Sequence, residues 1–175
     1  MQFEDYSIRL LTPEDLEVYF QMVEKNRSRL EDFFTGTVSR TKTLEDTRIF
    51  ISEMVQHAID KTYFAYLIID NTDNSIIGFM DLKNIDWNIS KAEMGGYIDK
   101  DYASKGITTK AFRLFCDICF QEHEFKKLFL RTHPTNLAAR KIAEKCGFEV
   151  EGIIKRDYKT TSGEIIDLVY YGRLN

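Results

Sequence analysis

One stretch constrains this chain more than any other: residues 98–111, Ile-Asp-Lys-Asp-Tyr-Ala-Ser-Lys-Gly-Ile-Thr-Thr-Lys-Ala. A β-prone segment ends there, a short polar loop follows, and an amphipathic helix begins near Gly106. The start of a helix leaves its first backbone N–H groups without intrahelical partners and carries a partial positive charge. A small polar loop at that place is therefore suited to wrap amides around a phosphate. Lys105 adds a full positive charge at the same point. A pyrophosphate held there would belong to a nucleotide-like cofactor, with its reactive part by the end of the preceding strand. The alternative is a plain strand-to-helix turn, since one glycine and one lysine fall short of the full phosphate fingerprints.

With 175 residues, 43% of them hydrophobic, the chain fills one core and is too short for two ordinary domains, so a single domain is expected. A net charge of −4 gives no general attraction to nucleic acid or to an anionic membrane, and neither partner is expected. Residues 1–6 lack the basic-then-apolar pattern of a secretory signal, and no apolar run approaches the roughly 18 residues that span a bilayer; both point to the cytoplasm. Three cysteines, an odd number, do not suggest a disulfide framework, and Cys116 and Cys119, three apart in a helical pattern, read as buried thiols. His57, His123 and His133 have no zinc-site spacing and read as surface or cap residues, so no metal is expected.

Residues 6–11 alternate and suit a first strand. Thr12-Pro13-Glu14-Asp15 then reads as a helix start, with Thr12 as cap, Pro13 in the first turn and two acids at the positive end. Leu16, Tyr19, Phe20 and Val23 recur at helical spacing and give that helix its buried face. Residues 28–42, with Gly36 among Thr and Ser, read as a connection between helices that walls a substrate site. Thr43-Leu44-Glu45-Asp46 is a second capping pattern, and Ile49, Phe50, Met54, Val55 and Ala58 make a second amphipathic helix. Residues 64–69 and 76–82 flank Asp70-Asn71-Thr72-Asp73-Asn74 as a hairpin. A polar connection over 84–91 carries Trp87, and residues 92–98 form the next strand, whose Gly95-Gly96 pair marks a bulge or the close approach of a ligand. Ala111, Leu114, Phe115, Ile118 and Cys119 then bury a helix, 128–132 is a short strand, and 136–145 is a helix stopped by Gly147. Two last strands, 148–154 and 165–171, flank Thr160-Thr161-Ser162-Gly163. The order predicts a mixed α/β (α+β) class, with a largely antiparallel sheet of about seven strands flanked by about four helices.

That order and its residues resemble the GNAT superfamily of N-acetyltransferases, most closely its branch of ribosomal-protein-alanine acetyltransferases (RimJ/RimL-like). The match runs from about Tyr6 to the end. Ala92-Glu93-Met94-Gly95 is similar to the Ala-Glu-Ile-Gly that opens the family's central strand. Ile98-Asp99-Lys100-Asp101-Tyr102-Ala103-Ser104-Lys105-Gly106 is similar to its Leu-Asp-Pro-Asp-Tyr-Trp-Gly-Lys-Gly loop. Asn136 with Glu144-Lys145-Cys146-Gly147-Phe148 resembles the family's Asn followed by Glu-Lys-Leu-Gly-Phe, and Glu151-Gly152 precedes the usual final hairpin.

The resemblance implies an N-acetyltransferase that moves acetyl from acetyl-CoA to a primary amine by direct attack in a ternary complex. The acceptor would be a protein N-terminal amine or a small amine such as a polyamine or antibiotic; an acyl-CoA-binding regulatory module with little catalysis is the alternative. A monomer or homodimer is implied. Backbone groups near Tyr97 and Ile98 would pair with the pantetheine arm, and an N–H there would stabilise the oxyanion. The amides of Ala103, Ser104, Lys105, Gly106, Ile107 and Thr108 would hold the pyrophosphate. Asn136 would touch the cofactor while capping its helix. Glu93 stands where the family often places a carboxylate, and is the candidate base that frees the acceptor's lone pair; the alternative is a salt-bridge partner.

Departures from the pattern bear on chemistry. Ala103, Gly106 and Thr108 stand in the fixed places of the family's Arg/Gln-x-x-Gly-x-Gly/Ala loop, and Ser104 replaces the branch's common glycine. Thr108 brings a branched side chain where the backbone approaches phosphate. Ala139 and Ala143 occupy the branch's serine and other branches' tyrosine position, and neither gives a proton to the leaving thiolate. Tyr97, Tyr102, Tyr158 and Cys146 are the substitutes, although a thiolate with a pKa of about 8.5 leaves without much help. Arg140, Lys141 and Lys145 offer a basic face to the adenosine 3′-phosphate, or simply a solvated one.

Overall fold

The computed structural model describes residues 1–31 and 33–175. In chain order the elements are β1 (Gln2–Phe3), β2 (Tyr6–Leu10), α1 (Leu16–Leu30), α2 (Thr35–Arg40), α3 (Leu44–Ile59), β3 (Phe64–Asp70), β4 (Ser75–Asp86), β5 (Lys91–Ile98), α4 (Ile107–Gln121), β6 (Lys127–Thr132), α5 (Leu137–Lys145), β7 (Glu149–Lys159) and β8 (Ile165–Leu174). The strands form one sheet in the order β1-β2-β3-β4-β5-β6-β8-β7, antiparallel throughout except for the parallel pair β5–β6. The expected mixed class and largely antiparallel sheet are therefore what the chain adopts.

The sheet is covered on both faces, which is why β3 reads as a continuous apolar run and is buried at every residue. On one face Tyr66, Met80, Met94 and Ile98 pack against Ala111, Phe115 and Cys119 of α4. On the other, Leu67, Phe79 and Tyr97 pack against Tyr19 and Val23 of α1 and Phe50 of α3. Cys116, Cys119 and Cys146 are free and buried, as expected for Cys116 and Cys119 from their helical spacing.

Differences from the expected elements have physical causes. Strand β1 is two residues long and carries no periodicity to read. The stretch 28–42, expected as a connection, contains the end of α1 and all of α2; its residue 32 lies outside the described residues. Helix α2 owes its form to tertiary contacts rather than propensity: Val38 is buried, and the Arg27 guanidinium donates to the carbonyls of Val38 and Thr41. In α3 the buried face runs through Phe50, Ile51 and Met54, and Ile49 is 51% exposed. Gly95-Gly96 makes no bulge, because the β4–β5 register is unbroken from Gly78↔Ile98 to Lys83↔Glu93.

Candidate active site

The site begins where the parallel pair fails. β5 and β6 pair only over Lys91↔Lys127, Ala92↔Leu128 and Glu93↔Phe129; beyond Glu93, β5 stays with β4 and β6 with β8. Which backbone groups face the resulting opening follows from parity. Asp99 N–H donates to the Ile77 carbonyl at 2.7 Å, and successive residues of a strand turn their N–H and C=O to opposite edges. Tyr97, Gly95 and Glu93 thus face β4, whereas Ile98, Gly96 and Met94 face the opening. The structure does not bring Tyr97 to the site by either route. Its ring lies in the α1/α3 core and its hydroxyl meets that of Tyr19 at 3.1 Å. Burial, then the Tyr19 neighbour, pushes the Tyr97 phenol well above its ordinary range, so it is no proton donor.

The loop after β5 is a built feature. Tyr102 and Ala103 donate to the carbonyls of Asp99 (3.0 Å) and Lys100 (3.3 Å), so the Ala103 amide is engaged inside the loop. From residue 104 to residue 109 the backbone N–H groups have no partner among the described residues. Ser104 (φ +63°) and Gly106 (φ +81°) are both left-handed, which curls these donors around the N-terminus of α4. Ser104 adopts this conformation at the place where the resembling branch has glycine. Lys105 Nζ lies 5.1 Å from the centre of the Tyr102 ring.

Asp99 anchors this loop. Its Oδ1 accepts the Asp101 N–H at 2.8 Å, and its Oδ2 accepts Asn26 Nδ2 at 3.0 Å and pairs with Lys25 at 2.9 Å. Asn26, buried on α1, also accepts the Lys100 N–H at 2.9 Å. Burial raises the Asp99 pKa, but the Asp101 amide, Lys25 and Asn26 outweigh it and hold the carboxyl below its ordinary value. A carboxyl depressed in the folded state stabilises at pH values above its unfolded pKa of about 3.9, and that contribution is lost as pH falls through the folded value. Urea unfolding is therefore expected to show stability level from pH 7 to about 5 and falling below about pH 4. Asp99→Asn should make that fall shallower, and an unchanged acid limb would remove Asp99 from the account.

A cavity of about 660 Å³ passes through the opening and joins the two faces of the sheet. On the α4/α5 side it is lined by Thr108, Phe112, Asn136, Ala139 and Ile142. Asn136 caps α5 by accepting the Ala139 N–H at 3.1 Å. On the other side the wall includes Phe34, Thr35 and Arg40, then Tyr63, Asp81, Lys83, Glu93 and Arg131, with Tyr158 opposite. His57 and His133, read from the sequence as surface or cap residues, also line the cavity. Glu93 is at the wall with its side chain 5% exposed, Oε1 paired with Arg131 Nε at 3.0 Å and Oε2 accepting Asn84 Nδ2 at 2.6 Å. Arg131 also reaches Asp157 and the Tyr170 hydroxyl, each at 3.3 Å. Sequence reasoning passed over Asp81, whose one visible signal is a lone acid in the apolar run Ile76 to Leu82. It accepts the Tyr63 hydroxyl at 2.6 Å and pairs with Lys83 at 3.1 Å. Burial lowers the Lys83 pKa, but the Asp81 and Glu93 charges more than restore it, so this lysine is a cation.

The remaining candidates separate by location. Ala143 is buried in the core behind α5. Tyr102 donates to Asp70 at 3.1 Å, and Cys146, buried, contacts the Thr109 carbonyl at 3.5 Å. Of the four substitutes for the missing acid, Tyr158 alone lines the cavity, and its hydroxyl meets Thr35 Oγ1 at 2.7 Å. Arg140 is engaged by the Tyr171 hydroxyl and the Pro134 carbonyl.

A parallel strand pair that parts, a collar of free amides at the helix between them and a cavity through the gap together suit a transferase acting on an acyl group carried by a nucleotide. The chain matches the family described as Acetyltransferase (GNAT) domain over residues 6–149 and belongs to it. It is 34% identical over 173 residues to "Putative ribosomal N-acetyltransferase YdaF" of Bacillus subtilis, covering 98% of this chain and 92% of the relative. Identity to the spermidine N(1)-acetyltransferase of Escherichia coli K12 is 26%, over 86% of this chain and 76% of that one. In fold it is similar to the ribosomal-protein-S5-alanine acetyltransferase of Vibrio fischeri, with a TM-score of 0.92, 22% identity and coverage of 100% and 96%. The RimL ribosomal L7/L12 α-N-protein acetyltransferase solved with coenzyme A gives a TM-score of 0.90 at 18% identity, with coverage of 98% and 95%. The protein is an acetyl-CoA-dependent N-acetyltransferase. Among the described residues no helix is long and apolar enough to cross a membrane.

Proposed function

We propose that the acceptor is the α-amino group of a protein or peptide, acetylated by direct attack in the opening between β5 and β6. The charge of the cavity wall carries this reading. Lys83 and Arg131 stand there against two carboxylates, Asp81 and Glu93, each already paired with one of them, and the third cation, Arg40, is paired with Glu53. A polyamine would bring several ammonium groups to a wall with no carboxylate in excess, whereas a peptide terminus brings one. The overall acidic balance of the chain is not repeated at this wall. Identity to the ribosomal relative also exceeds that to the spermidine enzyme, and a ribosomal-type acceptor would put the work in the cytoplasm.

In this reading the outward-facing backbone of Ile98 and Gly96 runs along the pantetheine arm, and one of their N–H groups meets the developing oxyanion. The amides of Ser104, Lys105, Gly106, Ile107 and Thr108 hold the diphosphate, with Ala103 closing the loop and the Lys105 charge beside it. Asn136 sets the N-terminus of α5 against the cofactor. A carboxylate of the acceptor wall, Glu93 or Asp81, takes the ammonium proton. The thiolate departs without a dedicated acid, since a thiol pKa of about 8.5 makes it a fair leaving group.

The test is thiol release from acetyl-CoA with peptides differing in their first residue, and with spermidine. Peptides should exceed spermidine in kcat/KM by at least about ten-fold, or roughly 1.4 kcal/mol. A reversed order would favour the polyamine reading. Thermal stabilisation by acetyl-CoA with no acceptor-dependent release would favour a binding module.

A further inference from the structure

The two acceptor-side carboxylates sit on neighbouring strands in different surroundings. Glu93 lies where β5 is still paired with β6, and each of its oxygens is engaged, by Arg131 at 3.0 Å and Asn84 at 2.6 Å. Asp81 lies further along, opposite Gly95 in the β4–β5 register, where β5 has already parted from β6. Its Oδ2 is the tethered oxygen, held by the Tyr63 hydroxyl at 2.6 Å and Lys83 at 3.1 Å. Its Oδ1 has only a 3.3 Å contact with Lys83. A Cβ at residue 95 would stand 2.5 Å from that oxygen, so the carboxylate overhangs the glycine and adjoins Gly96, whose backbone faces the opening. The glycine pair singled out in the sequence thus serves a side chain: Gly95 gives Asp81 room to lie over β5 at the opening.

Resting on the N-acetyltransferase reading above, we infer that Asp81 is the catalytic base and that Glu93 is a positioning residue. The acceptor ammonium transfers one proton to Asp81 Oδ1, and the freed nitrogen lone pair forms a C–N bond to the acetyl carbonyl carbon. The C–S bond breaks with its electron pair on sulfur, the second nitrogen proton goes to the thiolate, and Asp81 returns its proton to water. The sum is one amide, one thiol and one released proton. While Asp81 is neutral, the Lys83 charge keeps a counter-charge, because Glu93 stands opposite Lys83 in the register. Glu93 in turn is held by Arg131 and Asn84, which gives that carboxylate a reason to be present without touching the amine.

Wild type, Asp81→Asn, Glu93→Gln and Gly95→Ala would be compared with acetyl-CoA and a peptide carrying a free N-terminal alanine, and with spermidine, from pH 6 to 10. General-base removal is worth roughly 10²–10⁴-fold, so Asp81→Asn should lower kcat at pH 7 by at least about 10²-fold. Its residual rate should climb with pH as free amine accumulates, and its acetyl-CoA Kd should stay within about two-fold of wild type, or roughly 0.4 kcal/mol. Gly95→Ala keeps both carboxylates but displaces Oδ1 together with Lys83 Nζ, which would stand 2.8 Å from the new Cβ, and should lower kcat by about ten-fold or more at unchanged acetyl-CoA affinity. The Glu93→Gln loss should be the smaller. Turnover of Asp81→Asn near the wild-type rate, or a 10²-fold loss confined to Glu93→Gln, would overturn the assignment and leave the acetyltransferase reading intact. A wild type that releases no thiol with either amine would overturn both.

Discussion

Replacing Arg131 with methionine is expected to destabilise the protein by about 3 kcal/mol, since it takes the directly bonded cation from a buried carboxylate and leaves only the more distant Lys83 charge against it. The Glu93 side chain is 5% exposed, so its carboxylate has little access to water. Arg131 supplies the 3.0 Å contact to Oε1, and Asn84 alone would remain on Oε2. The substitution also strips Asp157 of its 3.3 Å partner, though Asp157 keeps the Tyr170 hydroxyl at 2.7 Å. For a chain of this size each kcal/mol is worth about 2–4 °C, so the melting temperature should fall by roughly 6–12 °C. The decisive comparison is the double variant Glu93→Gln with Arg131→Met, which removes the stranded charge and should recover most of the loss. A single variant melting within about 2 °C of wild type would mean that the pair holds nothing, by the same conversion.

The partners in that pair, separated by 38 residues, belong to different strands, and this distance decides what the sequence discloses. The local features were legible. Asp70-Asn71-Thr72-Asp73-Asn74 carries its own turn chemistry and makes the β3–β4 hairpin. Thr43 and Asp46 form the reciprocal cap anticipated from their spacing, each at 3.1 Å. The loop ahead of α4 was legible as a helix start near Gly106, and the family resemblance supplied its ligand; the left-handed backbone of Ser104 and Gly106 was not. What stayed hidden depends on pairing. Whether Tyr97 or Ile98 turns its amide to the opening is decided by the register with β4, and a one-residue slip would exchange them. Asn26 reads as one polar residue on a helix until its partner Asp99, 73 positions away, is placed beside it. Asp81 is silent for the same reason, because Tyr63, Lys83 and Gly95 acquire meaning only once three segments converge. Helix α2 is invisible because its composition is that of a loop and its stability comes from Arg27 on another helix.

Gly106→Val is expected to raise the Kd for acetyl-CoA by at least about ten-fold, equivalent to 1.4 kcal/mol or more. No heavy atom lies within 4 Å of where a Cβ would go, so steric exclusion is not the reason. The reason is the backbone: Gly106 has φ +81°, and a β-branched residue held left-handed costs roughly 1–3 kcal/mol. The chain would relieve that strain by rotating residue 106, and this would turn the unpartnered amides of Ile107 and Thr108 away from those of Ser104 and Lys105. Ser104, already left-handed at φ +63°, leaves the loop little slack to compensate. Gly152→Ala is the control, since its backbone is not left-handed and nothing lies within 4 Å; it should bind acetyl-CoA as wild type does. Titration calorimetry with acetyl-CoA, alongside thermal melts without it, separates loss of the binding loop from loss of the fold. Should Gly106→Val bind within about two-fold of wild type, a difference of roughly 0.4 kcal/mol, the amides ahead of α4 do not hold the diphosphate.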